Sequence, residues 1–224
     1  MFNFIDVPNL DFKLESTESD GKRYYKAPNG ALYPSVTTVL SSMNKKSIME
    51  WRKRVGEEEA NKKSAFASSR GTRVHKLCEN FVLGKEIKIE NPYQSSLFFP
   101  LKNQIEKNIN NIYGVEKKLY SDKLQLAGTV DLIAEYNKEL SIIDYKTSGK
   151  LKEERHILNY FFQATCYSLM FEELTGLKAK QIVVMIAVEN ENEPQIFLKK
   201  RKDYIIPLLE FLKNEKIFSQ KFSG

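Results

Sequence analysis

Between Gly128 and Thr147 the chain reads GTVDLIAEYNKELSIIDYKT, two runs of β-branched and apolar residues, Thr129–Tyr136 and Leu140–Thr147, around a polar Asn137-Lys138 pair. That pattern is a β-hairpin, and the turn fixes its register. With Asn137-Lys138 at the tip, Tyr136 faces Glu139, Ile133 faces Ile142, and Asp131 lands across from Asp144. The period of two along a strand then sets Lys146 on the face that carries Asp144. Carboxylates paired in this way have Cβ atoms roughly 5 Å apart, and at an effective dielectric of about 20 they repel by on the order of 3 kcal/mol. A cation between them removes that cost. Oxygen-rich clusters of this kind suit a hard divalent ion such as Mg²⁺. The bland alternative is a solvent-facing strand with an ordinary ion pair, and the hairpin by itself does not choose between them.

The 224 residues suffice for one large domain with a proper core, and no Gly/Ser-rich tract, Pro-rich tract or repeat divides them. Net charge is +6, from 35 Lys+Arg against 29 Asp+Glu, a basic excess that permits an anionic polymer as partner. Cys78 and Cys166 stand far apart without CxxC spacing, which excludes an iron–sulfur cluster, a zinc knuckle and a disulfide framework. The first twenty residues hold acids and no basic, apolar leader, and no apolar run reaches membrane-spanning length. A cytoplasmic protein without a membrane partner is expected, in the host cytoplasm if the source is viral.

Taken in order, Met1–Asp20 forms an arm, and Arg23–Tyr25 and Ala31–Tyr33 flank a Pro28-Asn29-Gly30 turn. Ser35 is a candidate N-cap for a helix starting near Val36. Ser47–Lys63 reads as one helix with Trp51, Arg52, Lys53 and Arg54 on it, either a solvated charged face or a phosphate grip with a stacking surface. Val74, Leu77, Cys78, Phe81 and Val82 mark the buried stripe of a helix over Gly71–Leu83, with His75 at its edge and Glu79 one turn on. A helix over Leu97–Ile112 and a strand over Val115–Tyr120, with Glu116 near its start, lead into the hairpin. After it come a helix over Glu153–Leu174, a strand over Lys180–Glu189 that is apolar throughout, a strand over Gln195–Lys199, and a helix from Tyr204 to about Phe218. In the long helix Phe162, Cys166 and Leu169 form one stripe, and Tyr160, Gln163 and Tyr167 another.

Gly71-x-x-x-His75, Gly128-x-x-Asp131, Asp144-Tyr145-Lys146 and Gln163-x-x-x-Tyr167 stand in one order along the chain. Together they resemble the PD-(D/E)XK nuclease superfamily, in its RecB-like group. Pro34–Thr37, Trp51, Gly56-Glu57 and the Gly71–His75 helix are most similar to the mitochondrial genome maintenance exonucleases and their phage relatives. The resemblance implies an α/β (α+β) fold with a restriction-endonuclease-like core, a mixed central sheet flanked by helices. One nuclease domain would fill residues 1–224, with an arm and helical DNA-binding annex over 1–70 and an αβββαβ catalytic core over 71–224.

It further implies Asp131, Asp144, Lys146, Gln163 and Tyr167 as catalytic residues. His75, Asp131, Asp144 and the Tyr145 carbonyl, joined by Glu116 and Glu79, would hold one or two Mg²⁺ or Mn²⁺ ions. In that scheme Lys146 places the attacking water, Gln163 orients a ligand, and Tyr167 packs against DNA or the metal shell. Trp51, Arg52, Lys53, Arg54, Arg70, Arg73 and Thr147 would contact DNA. The activity implied is a metal-dependent exonuclease on single-stranded DNA ends, working beside recombination or replication proteins. A double-strand exonuclease and a structure-specific endonuclease stay open. The Lys-, Asn- and Ile-rich composition points to a phage or bacterial source.

Overall fold

Residues 2–215 are described in a computed structural model. Its centre is a six-stranded mixed sheet. Its middle is an antiparallel meander of β5 (Ile109–Ser121), β6 (Leu126–Tyr136) and β7 (Glu139–Ser148). β8 (Gln181–Val188) joins β7 in parallel, β9 (Gln195–Lys200) closes that side antiparallel to β8, and β1 (Asn3–Phe4) of the N-terminal arm pairs in parallel with β5. A separate three-stranded sheet, β2 (Glu15–Ser19), β3 (Lys22–Lys26) and β4 (Leu32–Pro34), holds the expected hairpin plus a strand, β2, that no apolar alternation marks.

The meander hairpin forms as its sequence requires. Asn137 and Lys138 both take positive φ, 52° and 68°, the mirror-image turn whose twist matches the strands it joins. Tyr136 faces Glu139 and Ile133 faces Ile142. β8 is buried from Ile182 to Val188 because helices cover both faces of the sheet.

Among the described residues six α-helices accompany the sheets: α1 (Val36–Leu40), α2 (Lys45–Val55), α3 (Glu57–Val82), α4 (Pro92–Asn108), α5 (Leu158–Thr175) and α6 (Lys202–Asn214). Ser35 caps α1, its side chain accepting from the Thr38 amide at 3.0 Å. One face of the sheet packs against α1, α5 and α6 through Val130, Ile133, Ile142, Phe161, Phe162 and Leu208, and the other against α3 and α4 through Val74, Leu77, Leu97, Leu101, Leu132 and Ile143. α5 is wrapped on nearly every side, which is why Phe161 to Ser168 are all buried.

Several expected boundaries move. The helix expected over Ser47–Lys63 is two, broken at Gly56, whose φ of 85° and ψ of 149° suit glycine alone. α3 then runs unbroken through position 70, so the boundary expected between residues 70 and 71 falls inside a helix. α4 ends at Asn108, and Ile109–Ile112 begin β5 rather than finish a helix. A short 3₁₀ turn, Glu154–His156, precedes α5. The final helix ends at Asn214, and Phe218 lies outside the described residues. No helix among the described residues is long and apolar enough to cross a membrane.

Candidate metal centre and its surroundings

Three neighbouring strands bring three acids into line. Glu116 falls between the paired positions Val115↔Leu132 and Lys117↔Val130, which sets it opposite Asp131. The β6–β7 ladder ends at Leu132↔Ile143, one pair short of Asp131 and Asp144. The strands part there, and the two acids line the fork. Side-chain alternation slips at the same place, since Val130 and Ile133 enter the α5-side core and Leu132 the α3-side core.

The predicted stacking of the two aspartates on one face is therefore corrected. Asp131 is held from the side of α3, its Oδ1 3.3 Å from His75 Nδ1 and its Oδ2 accepting the Tyr145 amide at 2.8 Å. Asp144 is held from the side of α5, where Gln163 Nε2 donates to Oδ1 at 2.9 Å. Lys146 Nζ lies 2.5 Å from Asp144 Oδ2 as an ion pair without the alignment of a hydrogen bond. Lys146 Nζ also stands 5.2 Å from the Tyr160 ring centre, a cation–π contact.

His75, Glu116 and Asp131 each offer a ligand atom, all within 4.8 Å of one another. Glu116 reaches this group from a strand position with φ of 49°, a left-handed conformation that a non-glycine residue adopts at a cost of about 1–3 kcal/mol. Glu79, expected beside His75, pairs with Lys76 at 2.7 Å. Asp144, bonded to Gln163 and paired with Lys146, is not one of the three.

The charges respond to this crowding. Burial, aided by Asp131, pushes the Glu116 carboxyl up to about 7. Burial likewise raises Asp144 to about 6 against the pull of the Lys146 ammonium. For Asp131 burial acts upward but is outweighed by His75, Lys146 and the Tyr145 amide, so its carboxyl is held down. Burial disfavours the charged forms of His75 and Lys146, yet the neighbouring carboxylates overcome it and hold both values up. An imidazole and two carboxylates so placed, with buried Asp144 Oδ2 lacking an aligned donor beside them, have the donor chemistry of a divalent cation of the Mg²⁺ or Mn²⁺ type.

Of the two places expected for Tyr167, the DNA side is not where it lies: it is 2% exposed under Gly128, with Asp144 and Asp131 near enough to add to the burial that raises its hydroxyl. That hydroxyl also neighbours Gln163. Of the residues expected to touch DNA, Lys53 and Arg54 are exposed on α2, while Arg52 is bound by Glu57 and by Asn61 at 2.5 Å. Arg73 lies 3.6 Å from Glu90 and remains half-exposed. Arg70 and Thr147 bind each other, Nε to Oγ1 at 3.0 Å. Trp51 lines a cleft of about 900 Å³ with Lys150, Lys152, Arg155 and His156. The last four of these escaped the sequence reading, although Lys150, Lys152 and Arg155 follow closely on the Asp144-x-Lys146 strand; Glu153 also lines the cleft and pairs with Arg155 at 2.7 Å.

Residues 96–203 match the model of the PD-(D/E)XK nuclease superfamily. Mitochondrial genome maintenance exonuclease 1 of Xenopus tropicalis is 31% identical over 161 residues, covering 67% of this chain and 46% of that protein. The human protein of that name is 26% identical over 194 residues, covering 73% and 56%. The chain thus spans about half the length of the curated relatives it matches. The solved structure of SSO0001 aligns over 80% of the chain and 72% of its own, at 15% identity and a TM-score of 0.38, too loosely to bear on function. The matched stretch holds Glu116, Asp131, Asp144 and Lys146 on one forked sheet and Gln163 on the helix beside it, and residues 96–203 are a PD-(D/E)XK nuclease superfamily domain.

Proposed function

We propose that this chain is a metal-dependent deoxyribonuclease that hydrolyses phosphodiester bonds from single-stranded DNA ends, in recombination or repair. The observation that carries the reading is the convergence of His75, Glu116 and Asp131 within 4.8 Å beside the Asp144–Lys146 ion pair. In this reading Asp144 and the Tyr145 carbonyl complete the ligand set for Mg²⁺ or Mn²⁺. Such an ion, when bound, polarises a phosphate oxygen and acidifies water.

The chain's own residues supply the rest. Lys146 keeps a positive charge where negative charge gathers on the phosphate during attack, and orients the attacking water. Gln163 fixes the rotation of Asp144 through one hydrogen bond, leaving Oδ2 turned toward Lys146. Asp131 does the same for the His75 ring. The cleft beside Trp51 supports a single strand as substrate, since it joins an aromatic platform to Lys150, Lys152 and Arg155, and unpaired bases stack where paired ones cannot.

The test is cleavage of end-labelled single-stranded, duplex and circular DNA with Mg²⁺ or Mn²⁺. Single-stranded ends are consumed and circles survive. Cut circles point to an endonuclease, and preferential loss of duplex ends to a double-strand exonuclease. Asp144→Asn abolishes cleavage and keeps DNA binding, whereas retained cleavage removes Asp144 from the chemistry.

A further inference from the structure

Arg70 carries more contacts than a DNA-binding arginine needs. Its side chain is 10% exposed. Nε donates to Thr147 Oγ1 at 3.0 Å and Nη2 to the Thr147 carbonyl at 3.4 Å. Nη1 donates to Glu189 and to the Tyr93 hydroxyl, and that hydroxyl donates to the same Glu189 oxygen at 2.6 Å. Every nitrogen of the guanidinium is thus engaged, and Glu189 balances its charge. The partners come from β7, from α4 and from the turn after β8, where the Glu189 amide donates to the Ser148 carbonyl at 3.0 Å. Gly71, next along α3, faces the same hydroxyl, with Thr147 Oγ1 3.9 Å from where a Cβ would stand.

Position in the chain gives this knot its meaning. Arg70 stands five residues before His75 on α3, and Thr147 directly follows Lys146 on β7. The imidazole therefore reaches the fork on one element, the Asp144–Lys146 pair on another, and no ladder joins the two. Across them, the Tyr145 and His75 rings meet edge to face at 6.1 Å.

We propose that Arg70 is a positioning residue, clamping α3 to the end of β7 so that His75 meets the Asp131–Asp144–Lys146 fork at fixed spacing. The proposal rests on the nuclease reading above. It replaces phosphate binding as the role of Arg70 and Thr147. Lysine cannot fill the place, because an ammonium has no planar fork to bridge a hydroxyl, a carbonyl and a carboxylate together. Displacement of a reacting group by about 1 Å costs on the order of a hundredfold in rate.

Arg70→Lys, Thr147→Val and Thr147→Ser are compared by single-strand cleavage, by the salt dependence of DNA binding, by Mn²⁺ calorimetry and by thermal melting. Arg70→Lys and Thr147→Val each lower kcat about 10- to 100-fold at unchanged KM and salt slope, and weaken Mn²⁺ uptake. The double variant is no worse than either single one. Thr147→Ser, which keeps the acceptor, stays within about threefold of wild type. A raised KM with a shallower salt slope and intact kcat in Arg70→Lys would mean a phosphate contact and overturn the clamp. So would wild-type kcat in both Arg70→Lys and Thr147→Val. If wild type cleaves no DNA the nuclease reading falls, and the calorimetry still decides: Mn²⁺ affinity equal in all variants rejects the clamp. Should Arg70→Lys fail to fold, Thr147→Val, which changes one hydroxyl, carries the test.

Discussion

Gly128 lies so close to Tyr167 that a Cβ on it would stand 2.8 Å from the ring's Cε1 and 2.9 Å from its hydroxyl oxygen. The glycine three residues before Asp131 is there for space, since its φ is not among the positive ones. Gly128→Ala forces β6 off α5 and costs about 1–3 kcal/mol by denaturant unfolding. Tyr167→Leu in the same chain returns part of that loss. Equal destabilisation with and without Tyr167 would show that the ring is not what Gly128 accommodates.

Gly56 is the opposite case. Nothing lies within 4 Å of the Cβ position, and the whole cost of a side chain comes from its φ of 85°. Gly56→Ala therefore loses about 1–3 kcal/mol, and trimming neighbouring side chains recovers none of it. Unfolding of the single and combined variants reads the difference.

Gln163 supplies the aligned donor that reaches Asp144 Oδ1. Gln163→Leu leaves that buried oxygen bare, lowering stability by about 1–3 kcal/mol. It also lowers kcat with KM held, because Asp144 loses its orientation and the Trp51 cleft does not change. A rise in KM alone would move Gln163 from the reaction to substrate binding.

Glu172 and Arg201 predict a pH dependence away from the fork. Burial raises the Glu172 carboxyl, but Arg201, 2.6 Å away, and Lys178 outweigh it and hold the value below the usual glutamate range. A carboxyl depressed in the folded state stabilises the protein above its unfolded pKa, and that stability is lost as pH falls through the folded value. Glu172→Gln thus costs about 1 kcal/mol at pH 7 and progressively less below pH about 4. Melting curves across that range give the trend, and a constant difference would contradict it.

The hairpin was legible because its information is local. Two central residues that accept positive φ fix the register, and the register places Asp131, Asp144 and Lys146 near one another. The fork was not, since alternation assumes that pairing continues, and only Val130, Leu132 and Ile133 entering different cores betrays the slip at Asp131. The spacing of Tyr167 from Gln163 put both on one helix face, but the full covering of Tyr167 was not legible, since the burial of α5 on its remaining sides comes from α1 and α6, far off in sequence. Ile109 and Ile112 fit a helical stripe as well as a strand, so the end of α4 carried no signal of its own. Gly56 showed the reverse, a break written in a single residue whose conformation becomes visible only in three dimensions.

The 26 residues of α3 extend about 39 Å at 1.5 Å per residue. Glu57 stands at one end beside the arginine-bearing α2, and His75 sits two turns from the other. There is no joint between them to absorb movement. Arg70 ties this rod to Thr147 and Glu189 near its midpoint, so the heading of the α2 end and the seat of the imidazole are set by one anchor.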